Sequence, residues 1–181
     1  MKRVIMGLDI STSTVGIAIL HVKDKSTPLL KYTDYFKPNK KLSQLEMLSD
    51  AKGHITELVE DFGVTEVAVE EYVKFMKGQS NAKTVIPLAI LNTVIRMDIW
   101  ENCKIEPRVM NVLKIRHAIK QGKKLPPKED VPELVANILG VKFPWEYKIN
   151  RRTKKQEKRV ENWDVADAIA VALAHIARPE K

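Results

Sequence analysis

The order of apolar patterns along the chain limits its fold more than any other feature. Three β-rich runs come first, Arg3 to Ile10, Val15 to Val22 and Leu29 to Phe36. A pattern with helical spacing, Leu42 to Phe62, then precedes a short β-branched run, Val64 to Glu70. A run of that kind after a helix is typical of a buried parallel strand. The chain therefore predicts an antiparallel meander joined to a helix–strand crossover.

The remainder of the chain predicts more helices and one more strand. The most apolar pattern, Val85 to Trp100, predicts a long helix, and Lys104 to Met110 predicts a strand. Further helical patterns follow at Val112 to Gln121, Val131 to Leu139 and Asn162 to Ala177. We expect an α/β fold with a mixed five-stranded sheet, flanked by helices on both faces. Its 181 residues suit a single domain, residues 1–181.

Charge and cysteine content narrow the class of partner. Lys plus Arg number 31 against 23 Asp plus Glu, a formal charge of +8, which favours a polyanionic partner such as DNA, RNA or an anionic membrane surface. Cys103 is the single cysteine, so no disulfide framework or cysteine zinc site is expected, as in a reducing compartment. Asp9 interrupts the first apolar run too early for a signal segment, and polar residues interrupt the most apolar helix. We expect a cytoplasmic protein.

Four carboxylates stand where one metal site would need them. Asp9 and Glu70 each end an apolar run, and Asp164 and Asp167 lie three residues apart on the last predicted helix. Residues three apart share a helix face, and their repulsion there is relieved by a divalent cation. Oxygen ligands suit Mg²⁺ or Mn²⁺, and two such ions about 3.5–4 Å apart can activate water and stabilise the leaving oxygen of a phosphodiester. The set predicts a metal-dependent nuclease.

Each acid taken alone also has a simpler explanation. Asp164 suits the N-terminal turn of a helix, where the dipole favours negative charge. Asp9 precedes a Ser/Thr corner and could cap a turn. Of the adjacent acids Glu70 and Glu71, only one can enter the site, because strand neighbours face opposite sides. We select Glu70, which directly follows Val69.

Three motifs resemble the RuvC-type Holliday-junction resolvases of the ribonuclease-H-like superfamily, particularly their phage-borne members. Residues Gly7 to Ser11 with Gly16 resemble the family's opening hairpin, and Ala68 to Glu70 is similar to its second acidic strand. Asp164 to Ala170, followed by His175, resembles its C-terminal helix, which carries two aspartates. The resemblance implies a ribonuclease-H-like fold. It also implies a homodimer that nicks two symmetry-related strands of a four-way junction with Mg²⁺.

The resemblance also assigns roles to individual residues. It implies that two Mg²⁺ ions, with Mn²⁺ as a substitute, are held by Asp9, Glu70, Asp164 and Asp167. A lysine assists catalysis in family members; Lys114 is the nearest match by position, and Lys128 is the second. His175 either lies near the metal site, as in some relatives, or is a structural histidine. Such a protein would act in a bacterial or phage-infected cell, without a membrane or small-molecule substrate.

Several basic groups are candidates for DNA contacts. Residues 147–159, just before the acidic helix, include seven basic side chains and one acid and have too few apolar residues to pack. Neutralising phosphates in this way would make binding salt dependent, whereas the alternative is a solvated surface. Tyr72 and Phe75 could stack on an unpaired base or pack in a core or loop. The DNA-binding candidates are Tyr72, Lys74, Phe75, Lys77, Arg116, Lys148, Arg151, Arg152, Lys154 and Lys155.

The helix from Val85 to Trp100 is apolar around more of its circumference than one sheet can cover. Either a second copy of the chain packs against it, giving a two-fold dimer, or it is a central helix of one domain. Bacterial family members have a glycine-containing turn after the first aspartate, where this chain has Ser11 to Thr14. They have an aromatic residue three positions past the glutamate, where this chain has Val73. That difference leaves the preferred cleavage sequence open.

Other functions remain open at this point. An RNA nuclease of the same superfamily would use the same acids. A non-catalytic junction-binding protein would use the basic groups alone. A sugar-kinase or actin-like protein also opens with an aspartate and a small-residue hairpin, but it normally needs two such domains, and no second phosphate loop appears in the sequence.

Overall fold

The computed structural model describes residues 3–23, 26–39, 41–72 and 82–177. Its first half contains β1 (Arg3–Ile10), β2 (Val15–Val22), β3 (Leu29–Phe36), α1 (Gln44–Asp61), β4 (Glu66–Glu70) and α2 (Ala82–Cys103). Its second half contains β5 (Arg108–Met110), α3 (Val112–Ile119), α4 (Val131–Leu139), β6 (Tyr147–Ile149), β7 (Gln156–Lys158) and α5 (Glu161–Ile176). A single 3₁₀ turn, Lys128–Asp130, leads directly into α4.

Five strands form a mixed sheet in the order β3-β2-β1-β4-β5. The β1–β2 and β2–β3 pairs are antiparallel, whereas β1–β4 and β4–β5 are parallel. The parallel register places Leu8 beside Val69. Asp9, the penultimate residue of β1, and Glu70, the last residue of β4, therefore lie at the same level on adjacent strands. The predicted α/β class with a mixed five-stranded sheet is confirmed.

Helices cover both faces of this sheet, as predicted. On one face α3, α4 and α5 pack over Ile5, Ala18 and Ala68. On the other, α1 and α2 pack over Met6 and Ile17. Successive residues of β1 enter opposite cores because side chains alternate along a strand. None of the helices in the described ranges is both long enough and apolar enough for a transmembrane span.

Two glycines allow α5 to lie directly on the β1–β2 hairpin. A Cβ atom on Gly7 would lie 2.2 Å from the carbonyl oxygen of Ala168, and one on Gly16 would lie 2.2 Å from that of Asp164. Both distances are far shorter than any allowed contact, so only glycine permits this close approach. The first turns of α5 are thereby held over the end of β1.

Residues 147–159 differ from the sequence-based expectation. They add little to the core, as expected from their composition, but β6 and β7 form an exposed antiparallel hairpin separate from the main sheet. The hairpin is stabilised by polar contacts: the Asn150 side chain accepts from the backbone N–H groups of Arg152 and Thr153 and donates to Glu157. An asparagine turn of this kind replaces the apolar packing that the segment lacks.

Candidate active site

The four predicted acids face one region at the carboxyl ends of β1 and β4. Gly7 and Ala68 contact the α5 side of the sheet, and side chains two residues further along a strand point to the same side. Asp9 and Glu70 therefore project toward α5. Asp164 lies in the first turn of α5, and Asp167 follows one turn later on the same face.

Burial and neighbouring charges raise the pKa values of Asp9, Glu70 and Asp164. Burial, together with the charges of Glu70, Asp167 and Asp164, raises the pKa of Asp9 well above its usual value. Burial and the Asp167 charge raise the pKa of Glu70 to about 7. Burial also raises the pKa of Asp164, with Lys128 opposing the shift and Asp167 adding to it. Groups that perturb one another in this way share one electrostatic environment.

Two basic side chains balance Asp167, which is only 5% exposed. Nη2 of Arg116 donates to its Oδ1 at 3.0 Å, and Nζ of Lys128 lies 3.2 Å from its Oδ2. Nη1 of Arg116 is also buried, and among the described residues it has no hydrogen-bond partner. We define the acidic pocket as Asp9, Glu70, Asp164 and Asp167. An unsatisfied guanidinium donor of Arg116 therefore lies beside this pocket.

The donor set of the acidic pocket fits a hard divalent cation, since every side chain offers carboxylate oxygen. In the described part of the chain, no three Asp, Glu, His or Cys side chains converge closely enough to hold one ion as they stand. Arg116 and Lys128 supply the positive charge instead. A bound cation would therefore draw the carboxylates together and compete with these two side chains for Asp167.

The two lysines proposed from sequence occupy different positions. Lys114 is exposed on α3 and, within the described ranges, forms no ion pair. Lys128 contacts Asp167 from the turn before α4 and also influences the pKa of Asp9. Lys128 therefore lies in the acidic pocket, whereas Lys114 does not contact it.

The remaining candidates are placed as follows. Tyr72 is half-buried just beyond β4, and Arg116, expected as a DNA contact, pairs with Asp167. The candidates Lys74, Phe75 and Lys77 lie outside the described residues. Nε2 of His175 lies 2.7 Å from Oε2 of Glu66. This contact fits the interpretation of His175 as a structural histidine rather than one near the metal site. His175 follows Asp167 by eight helical residues, a rise of about 12 Å.

The sequence did not indicate that Arg116 contacts an acid. Ile115 and Ile119 are buried, so α3 turns its apolar side inward, and Arg116 lies at the edge of that side. This amphipathic pattern could have indicated that Arg116 lies near the core. Its ion pair depends on how α3 packs against α5, which no local pattern encodes.

The basic hairpin, β6–β7 with its connecting loop, is anchored to the start of α5. Asn162 is 3% exposed; its Oδ1 accepts from the backbone N–H of Glu146, and its Nδ2 donates to the carbonyl oxygens of Glu146 and Arg159. These contacts fix the hairpin two residues before Asp164. Its exposed basic side chains are Lys148, Arg151, Arg152, Lys154, Lys155 and Lys158.

Aromatic packing supports the same region. The ring of Trp145 packs against Phe143 and Trp163, at centroid distances of 4.7 and 5.8 Å. Nζ of Lys158 lies 3.2 Å from the centre of the Trp145 ring, a cation–π contact. The hairpin base is therefore held both by hydrogen bonds and by apolar contacts.

Comparisons with known proteins identify a matching family and several solved structures of similar fold. The model of the crossover junction endodeoxyribonuclease RuvC family matches residues 5–175. RuvC of T. thermophilus in complex with Holliday junction substrate has a TM-score of 0.72 at 19% identity, covering 96% of this chain and 92% of that one. A second Thermus thermophilus RuvC structure gives 0.72 at 20% identity, covering 96% and 93%. The yeast mitochondrial Holliday junction resolvase gives 0.61 at 10% identity, covering 94% and 76%.

Among proteins of curated function, no sequence matches the chain. The family match nevertheless covers nearly the whole chain, and the similar structures share its fold. Nucleases of this family depend on divalent metal ions. The chain therefore belongs to the RuvC family of crossover junction endodeoxyribonucleases.

Proposed function

We propose that the acidic pocket is where this nuclease resolves four-way DNA junctions, by divalent-metal-dependent hydrolysis of one phosphodiester in each of two strands. The observation that carries the proposal is the placement of Asp9, Glu70, Asp164 and Asp167 around one region at the carboxyl ends of β1 and β4. Burial there, with the Asp167 charge, raises the pKa of Glu70 to about 7. Burying like charges beside one another is unfavourable unless cations share the pocket. Two Mg²⁺ ions per site, with Mn²⁺ as a substitute, fit the carboxylate donors.

When bound, such ions would activate the attacking water and neutralise charge on the leaving oxygen. Asp9, Glu70, Asp164 and Asp167 would hold them. Lys128, rather than Lys114, is our candidate for the assisting lysine because of its contact with Asp167. We also propose that Nη1 of Arg116, which is buried without a hydrogen-bond partner in the described residues, donates to an oxygen of the scissile phosphate.

The basic hairpin is the proposed contact for a junction arm. Its side chains are exposed, and its base is fixed next to the acidic pocket by Asn162. Phosphate contacts of this kind supply affinity without reading sequence. Tyr72, Lys74, Phe75 and Lys77 follow Glu70 and remain candidates on the other side of the pocket. A DNA substrate and a single cysteine favour a cytoplasmic location.

We also propose that residues 1–181 form one nuclease domain and that two copies pair through α2. The outer side of α2 carries a row of side chains spaced alternately by four and three residues, which we call the seam of α2. Its members are Ile86, Ile90, Thr93, Met97 and Trp100. Ile86 is 56% exposed, Met97 51% and Trp100 58%. Large apolar side chains at this spacing pack well against an identical helix. A two-fold dimer would present two acidic pockets to a two-fold symmetric junction.

Three substrates test the proposed function: a four-way DNA junction, a linear duplex of the same sequence, and a junction with RNA in one strand. We expect Mg²⁺-dependent cutting of the DNA junction and much slower cutting of the duplex. Equal cutting of junction and duplex would contradict junction selectivity, and preferred cutting of the RNA strand would favour an RNA nuclease. Junction binding without cutting, unchanged in Asp9→Asn, would favour a non-catalytic binding protein.

A further inference from the structure

A second group of charged side chains lies at the opposite end of the sheet from the acidic pocket. A cavity of about 570 Å³ opens between the start of β4, β5 and the C-terminal ends of α2 and α5. Glu66, Arg96, Arg108 and His175 are among its lining residues. Glu66 precedes Glu70 by four strand residues, so the cavity lies roughly 13 Å along the sheet from the acidic pocket. The two sites share no side chain.

His175 lines this cavity and has an unsatisfied buried nitrogen. It is 8% exposed, and its Nε2 lies 2.7 Å from Oε2 of Glu66. Its Nδ1 is buried and has no hydrogen-bond partner in the part of the chain that the structure describes. Glu66 is held in place by Arg3, which donates to both of its carboxylate oxygens. When both ring nitrogens carry protons, Nε2 donates to Glu66 and Nδ1 is left to donate to a further acceptor. The protein itself supplies no such acceptor in the described ranges.

Two arginines line the cavity without an acidic partner. Within the described residues, no carboxylate oxygen lies within 4.0 Å of the guanidinium group of Arg96 or Arg108, and Nε of Arg96 is buried and unpaired. Glu106 also lines the cavity but pairs with neither arginine. Lys104 contributes less, because its Nζ donates to the carbonyl oxygen of Glu101 at 2.7 Å. The planar fork of a guanidinium matches the oxygens of a phosphate.

We propose that this cavity binds a phosphate-type oxyanion through Arg96 and Arg108, with Nδ1 of His175 as an additional donor. Its volume falls in the range of pockets that hold a whole small ligand. Two sources could supply such an oxyanion: the backbone of a DNA substrate and a free phosphate compound. The site is independent of the proposed nuclease reaction, since it uses none of the residues of the acidic pocket.

Titration of the metal-free protein with inorganic phosphate, at constant ionic strength set with chloride, tests this site. We expect a saturable change in the side-chain NMR signals of His175. Arg108→Gln should weaken the binding about tenfold or more, because a charged donor to the oxyanion is lost. Lys31→Gln, which removes an exposed positive charge on β3 outside both the cavity and the hairpin, is the matched control and should leave the dissociation constant unchanged.

Arg108 has no ion pair to lose within the described ranges, so this variant is expected to fold, and its circular dichroism and melting temperature verify that it does. The site is rejected if His175 responds no more to phosphate than to chloride. It is also rejected if folded Arg96→Gln and Arg108→Gln both bind phosphate as the wild type does. Junction cutting is measured separately, so failure of this site and failure of the nuclease proposal are distinguishable.

The source of the phosphate group is resolved by adding a saturating four-way junction without divalent metal. If the junction itself shifts the His175 signals and prevents the phosphate response, the cavity holds a backbone phosphate. If phosphate still binds with the same dissociation constant in the presence of the junction, the cavity serves a free phosphate compound. Either result supports the site and assigns its ligand.

Discussion

At the scale of single residues, the acidic pocket is a balance between like charges and two neighbouring cations. Asp9 experiences the charges of Glu70, Asp167 and Asp164, and Lys128 offsets only part of that repulsion. Arg116 and Lys128 both contact Asp167. Crowding these charges should therefore lower the folding stability of the metal-free protein, as functional sites commonly do.

Replacing Asp9 by asparagine should stabilise the metal-free protein while abolishing cutting. Removing one of the crowded charges relieves repulsion, and each kcal/mol gained raises the melting temperature of a chain of this size by about 2–4 °C. Cutting should fall by about 10³-fold, corresponding to several kcal/mol of lost charge stabilisation. Calorimetry and a junction-cutting assay measure the two effects. Asp50→Asn, an exposed acid on α1, is the control, and equal stabilisation by both variants would contradict the account.

The raised pKa of Glu70 predicts how stability depends on pH. A carboxyl whose pKa rises from 4.5 to about 7 on folding binds more protons when folded than when unfolded between those values. The free energy of unfolding of the metal-free protein should therefore decrease as the pH rises from about 4.5 to about 7. Urea denaturation across this range measures it.

The comparison with Glu70→Gln isolates this contribution from other titrating groups. The variant should show a smaller decrease over the same pH range. Mg²⁺ should restore stability to the wild type above about pH 7, because the ion binds the folded, deprotonated pocket. A variant with the same pH dependence as the wild type would contradict the assignment of this proton to Glu70.

At the scale of elements, the close contact between α5 and the β1–β2 hairpin determines where Asp164 and Asp167 lie. Gly16→Ala would place a Cβ atom 2.2 Å from the Asp164 carbonyl oxygen, so α5 must move. We expect a loss of about 1–3 kcal/mol in stability, together with slower cutting because the two aspartates shift. Urea unfolding and cutting rates measure these effects.

Gly53→Ala on α1 is the matched control, because a Cβ atom there meets nothing within 4 Å. It should stabilise the protein by about 0.5–1 kcal/mol, since alanine favours a helix, and leave cutting unchanged. If Gly16→Ala cuts junctions as fast as Gly53→Ala, the close approach of α5 is not what positions the acids.

The basic hairpin makes a separate prediction about salt dependence. The test variant has glutamine at Arg151, Arg152, Lys154 and Lys155. Log affinity falls with log salt concentration, and this slope should become less steep by about 0.9 for each phosphate that the hairpin no longer neutralises. Fluorescence anisotropy with a labelled junction, without divalent metal, measures the slope. Glutamine at Lys31, an exposed lysine on β3, is the control. An unchanged slope in the hairpin variant would mean that the hairpin does not contact the junction.

Much of the fold was predictable because local pattern determines it. The bounds of β1, β2 and β3 follow from alternating or continuous apolar runs, and each strand begins and ends where the sequence predicts. The hairpin β6–β7 was not predictable from apolar pattern, because backbone pairing and the Asn150 turn stabilise it. In the site, the four acids stood out at strand and helix ends, but the contact of Arg116 with Asp167 depends on packing between α3 and α5.

At the scale of the whole molecule, the apolar seam of α2 predicts self-association. Trp100→Asp would place a charge in the proposed dimer contact, where burial without a partner is costly. We expect sedimentation velocity to show a dimer for the wild type and a folded monomer for this variant. The monomer should nick one strand of a junction but lose coordinated cutting of both strands. Glu101→Gln on the same helix is the control, and a variant that remains dimeric would place the interface elsewhere.

The central claim is that Asp9, Glu70, Asp164 and Asp167 act together as one metal-dependent cutting site for branched DNA. A cleavage map on a mobile four-way junction, comparing the wild type with Asp167→Asn with and without Mg²⁺, tests it most directly. We predict that the wild type cuts two symmetry-related strands only when Mg²⁺ is present and that Asp167→Asn cuts neither. Cutting by Asp167→Asn at the wild-type rate, or cutting by the wild type without any divalent metal, would contradict the claim.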